Sequence, residues 1–523
     1  MIIAAMQIRI RFASLLLASL PIAAATCESL ATLALPNTTI ATAQSVAAGS
    51  FTPPGASRAM DSLPAFCRVA GSIKPSSDSD IQFEVWLPAS GWNGKFQGIG
   101  NGGFAGSITY PSLGNAISHG YAVAATDTGH HGGATEGAWA LGHHEKLVDF
   151  GYRAIHETAL TGKALAKALY GGEPKRSYFS SCSNGGRQAL MEAQRYPADY
   201  DGIIAGAPAY NWTKLLSNAA YNLQVTMDPA SYIPPAKIPA IESAALAACD
   251  AHDGVKDGVI DSPDKCSFKP ASMLCKDGDS DTCLTEPQVK AMEVLLGGLR
   301  TSKGLVFPGY VVGGMPGGGG WQTWIFGGMR GTSLMYAFGN GYFKNMLFED
   351  AKWDYKTFQP DRDIKVADDK TAQIMNATDP DLSKFRARGG KLILYHGWSD
   401  PGISPLSTVE YFKNVQAKMG ASQTESFVRV YMAPGMQHCG GGPGPSNFGQ
   451  GGVAEGDPQH NISSAIEHWV EDGAAPSQII ATKFKTMNPA DGVERTRPLC
   501  PYPQVATYKG SGSTDDAANF VCK

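Results

Sequence analysis

Two dipeptides far apart in the chain, Cys182-Ser183 and His438-Cys439, place the strongest constraint on how it folds. A serine hydroxyl is a weak nucleophile and needs an imidazole base beside it. A fold that uses Ser183 with His438 must therefore bring both segments to one place. Their neighbouring cysteines then fall within reach of a disulfide, which needs Cα atoms about 4.4–6.8 Å apart. A single covalent bond would pin two loops that lie far apart along the chain.

The N-terminus decides how the cysteines are read. Arg9 and Arg11 precede an apolar run from Phe12 to about Ala25, closing on Ala23-Ala24-Ala25. A basic start, a short apolar stretch and small residues at its end describe an export signal over residues 1–25. The run is shorter than the ~20 residues of a spanning helix, which counts against a membrane anchor. Lipid attachment at Cys27 is a further alternative, which Thr26 fits poorly. The expected location is extracellular or periplasmic. The ten cysteines, an even count, are then expected in disulfides rather than as free thiols. Cys27–Cys67, Cys249–Cys266, Cys275–Cys283 and Cys500–Cys522 are natural local pairs and leave Cys182 for Cys439, though sequence alone does not fix the connectivity.

At 523 residues the chain is long enough for more than one hydrophobic core. A net charge of -4 gives no case for nucleic acid or an anionic membrane as partner. With 61 glycines, 33 prolines and 17% charged residues, it reads as loop-rich and globular rather than disordered.

Strand patterns at 81–88, 95–100 and 120–126 lead to a helical period over 147–170 that stops at Gly171-Gly172. A short strand at 176–180, a turn at Ser183, a helix from Gly186 to Tyr196 and a strand at 200–205 follow. That order is the one expected of an α/β-hydrolase fold. From Asn211 to about Arg388 the chain turns helical and glycine-rich, with four cysteines and the run 313–320 that must be loop. Strand character returns at 391–395 and 426–432. The expected organisation is an α/β-hydrolase domain in two parts, 26–209 and 389–523, around an inserted lid at 210–388; one large irregular domain is the alternative.

Ser183, Asp400 and His438 occur in the chain order Ser, Asp, His that this fold uses. Asp400 and His438 each follow a strand, so they project from the carboxyl edge of the sheet, where ligands bind. The elbow Ser181-Cys182-Ser183-Asn184-Gly185 departs from G-x-S-x-G by carrying Ser181 in place of the first glycine. His396 is read as orienting the Asp400 loop or lining the pocket. A tetrahedral oxyanion needs donors, for which the backbone N–H groups of Asn184 and of Gly102, in the glycine-rich loop 98–106, are the choices.

A second motif lies in the insertion. Residues 249–261 alternate acids with glycines, a pattern suited to Ca²⁺, which takes six to eight oxygen ligands. Asp250, Asp253 and Asp257 would supply carboxylates, with carbonyls from Val255 and Val259. The spacing is not that of an EF-hand. Its role would be structural, and an ordinary acidic turn is the alternative.

These residues together resemble the tannase and feruloyl esterase family of secreted α/β hydrolases, which includes mono(2-hydroxyethyl) terephthalate hydrolases. The resemblance runs from Cys27 to Cys522. It implies a Cys182–Cys439 disulfide, a Ser183/Asp400/His438 triad and a Ca²⁺-bearing lid loop using Asp250, Asp253, Val255, Asp257 and Val259. It also implies hydrolysis of an ester of an aromatic acid through an acyl-enzyme, with no organic cofactor. The substrate would be a small aromatic ester or a phenolic-decorated plant polysaccharide. Esters of ferulate or caffeate are the first expectation, gallate esters the next and terephthalate monoesters the narrowest. Trp321, Trp324, Phe326 and Phe338 are read as pocket rings and Arg330 as a carboxylate partner. A secreted serine peptidase on the same fold and a non-catalytic, calcium-dependent carbohydrate-binding protein are the competing readings.

Overall fold

The first two strands of the main sheet alternate between more and less exposed positions, whereas most of the later ones are buried on both faces. That difference dictates the sheet. The computed structural model describes residues 25–450, 456–486 and 488–523. The main strands are β1 (Thr38–Val46), β2 (Phe66–Ile73), β3 (Ile81–Pro88), β4 (Lys95–Ile99), β5 (Ala122–Thr126), β6 (Arg176–Cys182), β7 (Gly202–Gly206), β8 (Lys391–Gly397) and β9 (Val428–Ala433). They form one nine-stranded sheet in the order β1-β2-β3-β5-β4-β6-β7-β8-β9. The contacts β1–β2, β2–β3 and β3–β5 are antiparallel, and all later pairs are parallel. The half-exposed β1 lies at the antiparallel edge, while β5 and β7 are buried along their whole length. Parallel strands need this continuous apolarity because crossover helices cover both faces.

The main helices are α1 (Tyr110–Ser118), α2 (Ala154–Tyr170), α3 (Asn184–Arg195), α4 (Trp212–Thr226), α5 (Ile238–Cys249), α6 (Glu286–Gly297), α7 (Leu334–Gly341), α8 (Pro405–Met419) and α9 (Ile462–Asp472); α4 to α7 belong to the insertion and the others cover the sheet. The two-residue period of the strands sorts the core. Phe179, Ile203, Leu392 and Leu394 face α2, α3 and α8, while Tyr178, Ile204, Ile393 and Tyr395 face α1 and α9. Between β7 and β8 the chain leaves the sheet. Its helices enclose a core of their own, with Ile241, Met292, Leu295, Trp321 and Phe326. A further cluster containing Phe104, Phe150, Trp212, Leu216 and Phe343 joins this insertion to the sheet domain. This is the α/β-hydrolase architecture.

All ten cysteines are paired, as Cys27–Cys67, Cys182–Cys439, Cys249–Cys266, Cys275–Cys283 and Cys500–Cys522. Among the described residues no helix is long and apolar enough to cross a membrane. The segment read as an export signal lies outside the described residues, apart from Ala25.

The start of α3 packs closely on the sheet. A Cβ on Gly186 would sit 2.2 Å from the carbonyl oxygen of Gly206 in β7. Backbone cannot yield there as a flexible side chain would. Gly186→Val is expected to lower the melting temperature, at a cost of about 1–3 kcal/mol. Thermal denaturation by circular dichroism checks this, and an unchanged midpoint would show that α3 stands further from β7.

Candidate active site

Register brings the three site loops to one level. Cys182 of β6 pairs with Gly206 of β7, and Gly206 pairs with Tyr395 of β8, whose own partner in β9 is Tyr431. The turn at Ser183, the loop carrying Asp400 and the loop carrying His438 therefore all leave the same carboxyl edge. Ser183 bridges β6 and α3 with φ 66° and ψ -124°, a backbone state that side-chain-bearing residues rarely adopt. Hydrogen bonds hold it there: its N–H donates to the Gly206 carbonyl (2.9 Å), and its own carbonyl accepts from Ala209 and Arg187. The substitution of Ser181 for a glycine is absorbed across the turn. A Cβ on Gly185 would lie 1.9 Å from Ser181 Oγ, so the glycine makes room for the serine.

Asp400 is buried, and every acceptor it has is used. Oδ1 accepts from the N–H groups of Gly402 (2.7 Å) and Ile403 (2.9 Å). Oδ2 accepts from His438 Nδ1 (2.8 Å) and from His396 Nε2 (3.1 Å). Burial alone would raise its pKa. The charge of His438 and the hydrogen bonds from His396 and His438 outweigh burial and hold the carboxyl well below the usual carboxylate range. His396 is fully buried, with Nδ1 against Thr408 Oγ1 (2.7 Å) and Nε2 against Asp400 and the Ile403 carbonyl. Both Nε2 partners are acceptors, which puts the proton on Nε2 and makes Thr408 the donor to Nδ1. His396 thus orients Asp400 and does not line the pocket.

The Cys182–Cys439 disulfide, with Cα atoms 6.0 Å apart, ties the residue before Ser183 to the residue after His438. Ser183 Oγ makes no side-chain hydrogen bond among the described residues. Such contacts often tighten only when substrate binds.

Ser183 opens into a cavity walled by Phe104, Trp212, Leu215, Leu216, Trp324 and Phe338, among other apolar groups. Trp324 packs edge-on to the His438 ring (centroids 4.5 Å apart) and is stacked with Phe338 (6.2 Å). Among the described residues, neither Arg, Lys, Asp nor Glu lines this cavity. Two of the expected pocket rings and the expected cation lie elsewhere. Trp321 and Phe326 are fully buried in the insertion's own core, where they pack on each other. Arg330 is exposed, and its guanidinium donates to the Met227 carbonyl.

The glycine-rich loop is fixed to the nucleophile helix. Asn101 N–H donates to Gln188 Oε1 (3.0 Å), Gln188 Nε2 returns a bond to Asn101 Oδ1 (2.9 Å), and Asn101 Nδ2 donates to the Thr126 carbonyl (2.6 Å). Gly103 lines the cavity beside Ser183 and Asn184, whereas Gly102 is exposed and flanks the disulfide side. Asn184 begins α3, so its N–H has no acceptor within the helix.

Sequence reasoning missed Arg187. It is fully buried, with Nε and Nη2 donating to Asn184 Oδ1 and the remaining bonds going to the carbonyls of Phe150, Gly151 and Met375. The rings of Phe150 and Trp212 lie 4.9 and 5.1 Å from the guanidinium carbon. Burial, with Arg195 nearby, pushes its pKa down to about 9, so the group still carries its charge at neutral pH. An arginine one turn past the elbow serine, on the apolar side of a helix, was the available signal.

In the 249–261 loop Asp250 is buried and accepts from the N–H groups of Asp257 and Gly258 (both 3.2 Å). Asp253 accepts from Val255 N–H (2.9 Å) and Asp257 from Val259 N–H (3.2 Å). Arg495 and Arg497 reach Asp257 Oδ2 at 2.9 and 2.5 Å. Asp261, absent from the expected ligand set, is buried, and burial together with the Asp253 carboxylate raises its pKa. The loop thus crowds carboxylates in a half-dry place with two arginines as partial compensation, a donor set that fits a hard cation.

Known proteins share this plan. The family described as tannase and feruloyl esterase matches residues 67–523. An uncharacterized esterase of Xanthomonas campestris pv. campestris is 43% identical over 96% of this chain and 91% of its own length. A probable feruloyl esterase B-2 of Aspergillus terreus is 34% identical over 87% of this chain and 86% of its own length. The crystal structure of feruloyl esterase B from Aspergillus oryzae superposes with a TM-score of 0.88 at 32% identity, covering 95% of this chain and 99% of that one. The chain belongs to the tannase and feruloyl esterase family, whose members are carboxylic ester hydrolases.

Proposed function

We propose that this protein is a secreted serine esterase that cleaves esters of hydroxycinnamic acids, with Ser183 as nucleophile, His438 as base and Asp400 as the orienting acid. The observation that carries the reading is the Asp400–His438 hydrogen bond, held beside Ser183 by the Cys182–Cys439 bond at the mouth of an aromatic cavity. Ser183 attacks the ester carbonyl while His438 takes its proton. The same imidazolium then gives the proton to the departing alcohol, and water, activated by His438, releases the acid. Asp400, accepting from Nδ1, leaves Nε2 as the basic nitrogen and steadies the imidazolium. The oxyanion is assigned to the N–H groups of Asn184 and of Gly102 or Gly103, with Arg187 adding positive potential behind Asn184.

Cavity chemistry supports the substrate class. The wall carries rings and aliphatic groups, and its polar tips are neutral, such as the Tyr310 hydroxyl. A hydroxycinnamate presents a ring with one or two phenolic or methoxy oxygens, which such tips can meet. The free carboxylate of a terephthalate monoester would be buried without a counter-ion, a heavy penalty. Three gallate hydroxyls would bring more polar surface against this apolar wall than the one or two oxygens of a hydroxycinnamate. Export is supported by five disulfides, which persist in oxidising compartments.

We assign Ca²⁺ to the 249–261 loop, with Asp250, Asp253 and Asp257 as carboxylate ligands, Val255 and Val259 as carbonyl ligands, and Asp261 supporting Asp253. When bound, the ion neutralises crowded carboxylates and stiffens the insertion. It supplies no chemistry to the ester.

On methyl ferulate, methyl gallate and a terephthalate monoester, kcat/KM is expected to fall in that order, with Ser183→Ala losing about 10⁴-fold or more on the first. Wild-type turnover in Ser183→Ala would overturn the mechanism. A terephthalate monoester as the best substrate would overturn the assigned class alone. The Cys182→Ser/Cys439→Ser double variant frees the histidine loop and is expected to lose kcat at least tenfold with a smaller change in KM. Unchanged kcat would remove the staple from the mechanism. Chelation of the calcium-loaded enzyme is expected to lower its melting temperature, and Asp253→Ala to abolish that response. A chelator effect of equal size in the variant would place the ion elsewhere.

A further inference from the structure

Behind the nucleophile helix lies a group of side chains that the ester chemistry does not use. His156 of α2, Glu192 of α3 and Asp199, in the loop before β7, each offer a ligand atom, all within 4.8 Å of one another. We propose that His156, Glu192 and Asp199 form a binding site for a divalent transition-metal ion of the zinc class, independent of the calcium loop and of the ester mechanism.

The decisive observation is Glu192. It is 1% exposed, and neither carboxylate oxygen receives a hydrogen bond from an N–H or O–H donor among the described residues; its one hydrogen-bonding neighbour is the Asp199 carboxylate, with which it can only share a proton. A buried carboxylate with no donor is costly unless a proton or a cation satisfies it. The nearest groups are the Asp199 carboxylate and the His156 imidazole, whose Nδ1 lies 2.6 Å from Asp199 Oδ2. Lys163 adds one positive charge, but its ammonium donates to the Asp199 backbone carbonyl. Two carboxylates therefore share one lysine, and Glu192 receives nothing from it directly.

Ligand chemistry narrows the ion. One imidazole nitrogen with two carboxylates suits Zn²⁺ and its first-row neighbours, whereas Ca²⁺ prefers an all-oxygen shell. The His156 ring is held flat against Tyr196, with centroids 3.7 Å apart and planes 7° apart, so its ring plane is fixed before any ion arrives. The His156 side chain is about one-fifth exposed, which leaves a path for the ion and for a water as fourth ligand. On binding, Nδ1 turns from hydrogen-bond partner of Asp199 into a ligand. The imidazole proton then resides on Nε2, and any proton held on Glu192 passes to solvent. The ion would clamp α3 to α2 and to the loop entering β7. The other close group of cysteine and acid ligands, Cys275, Asp279 and Cys283, has both sulfurs in a disulfide.

The test uses the full chain, stripped of metal and then saturated with Ca²⁺ so that the calcium loop does not compete. Calorimetric titration with ZnCl₂ is expected to show one tight equivalent and a raised melting temperature, and CoCl₂ to give the visible bands of a four-coordinate nitrogen–oxygen site. Glu192→Gln and His156→Phe, the latter keeping a ring against Tyr196, are each expected to weaken zinc about tenfold or more. Their circular dichroism should match the wild type. No zinc equivalent in the wild type, or an equal affinity in both variants, overturns the site and leaves Glu192 and Asp199 sharing a proton.

Discussion

The covalent link between Cys182 and Cys439 is the constraint on which the site depends. Ser183 is held at a backbone angle that costs energy, and the loop bearing His438 contains glycines that give it little stiffness of its own. Hydrogen bonds at the elbow fix the serine. The disulfide carries that fixed position across the sheet edge to the histidine loop. The cysteines it joins are 257 positions apart, so in a chain-entropy account it removes on the order of 5 kcal/mol from the unfolded ensemble. The stability gain follows from that separation, while the positional gain follows from the neighbours the two cysteines have.

A second layer of polar contacts does the finer positioning. Gln188 and Asn101 exchange two hydrogen bonds, so the loop that offers amides and the helix that carries the serine move as one body. Arg187 places a full charge under Asn184 without a carboxylate partner. Three backbone carbonyls and two ring faces solvate it instead. Such an arrangement keeps the positive potential unspent, which favours negative charge at the start of α3, where the helix dipole has the same sign. A salt bridge at that position would cancel the effect.

How far the sequence reached depended on the range of the signal. Strand period, the helix stop at Gly171 and the elbow are local patterns, and they located β6, α3 and the loops of Asp400 and His438. Four of the cysteine pairs are neighbours along the chain and were natural candidates, but spacing left the connectivity open, and the Cys182–Cys439 pair was implied by the family resemblance. The pocket was different. Trp321 and Trp324 are three residues apart and equally aromatic, yet one packs in the insertion's core and the other against His438. Which face of a short irregular helix turns outward depends on tertiary packing, and no local pattern records it. Arg330 misled for the same reason, since a loop arginine is as easily satisfied by a carbonyl as by a substrate. His156, Glu192 and Asp199 lie on three elements, and their proximity exists only after α2, α3 and β7 have packed.

The insertion is more than a cover over the site. Trp324 belongs to it, lines the cavity and touches the imidazole ring proposed as the base. Phe338, also from the insertion, meets Trp324 on one side and Phe104 of the glycine-rich loop on the other (centroids 5.2 Å). A ring bound in this cavity would therefore press on groups that continue to the base and to the loop offering amides. Displacing the insertion would loosen both at once. Rigidity in the insertion then matters for catalysis even though none of its residues handles a proton, so the ion proposed for the 249–261 loop would have an indirect route to turnover.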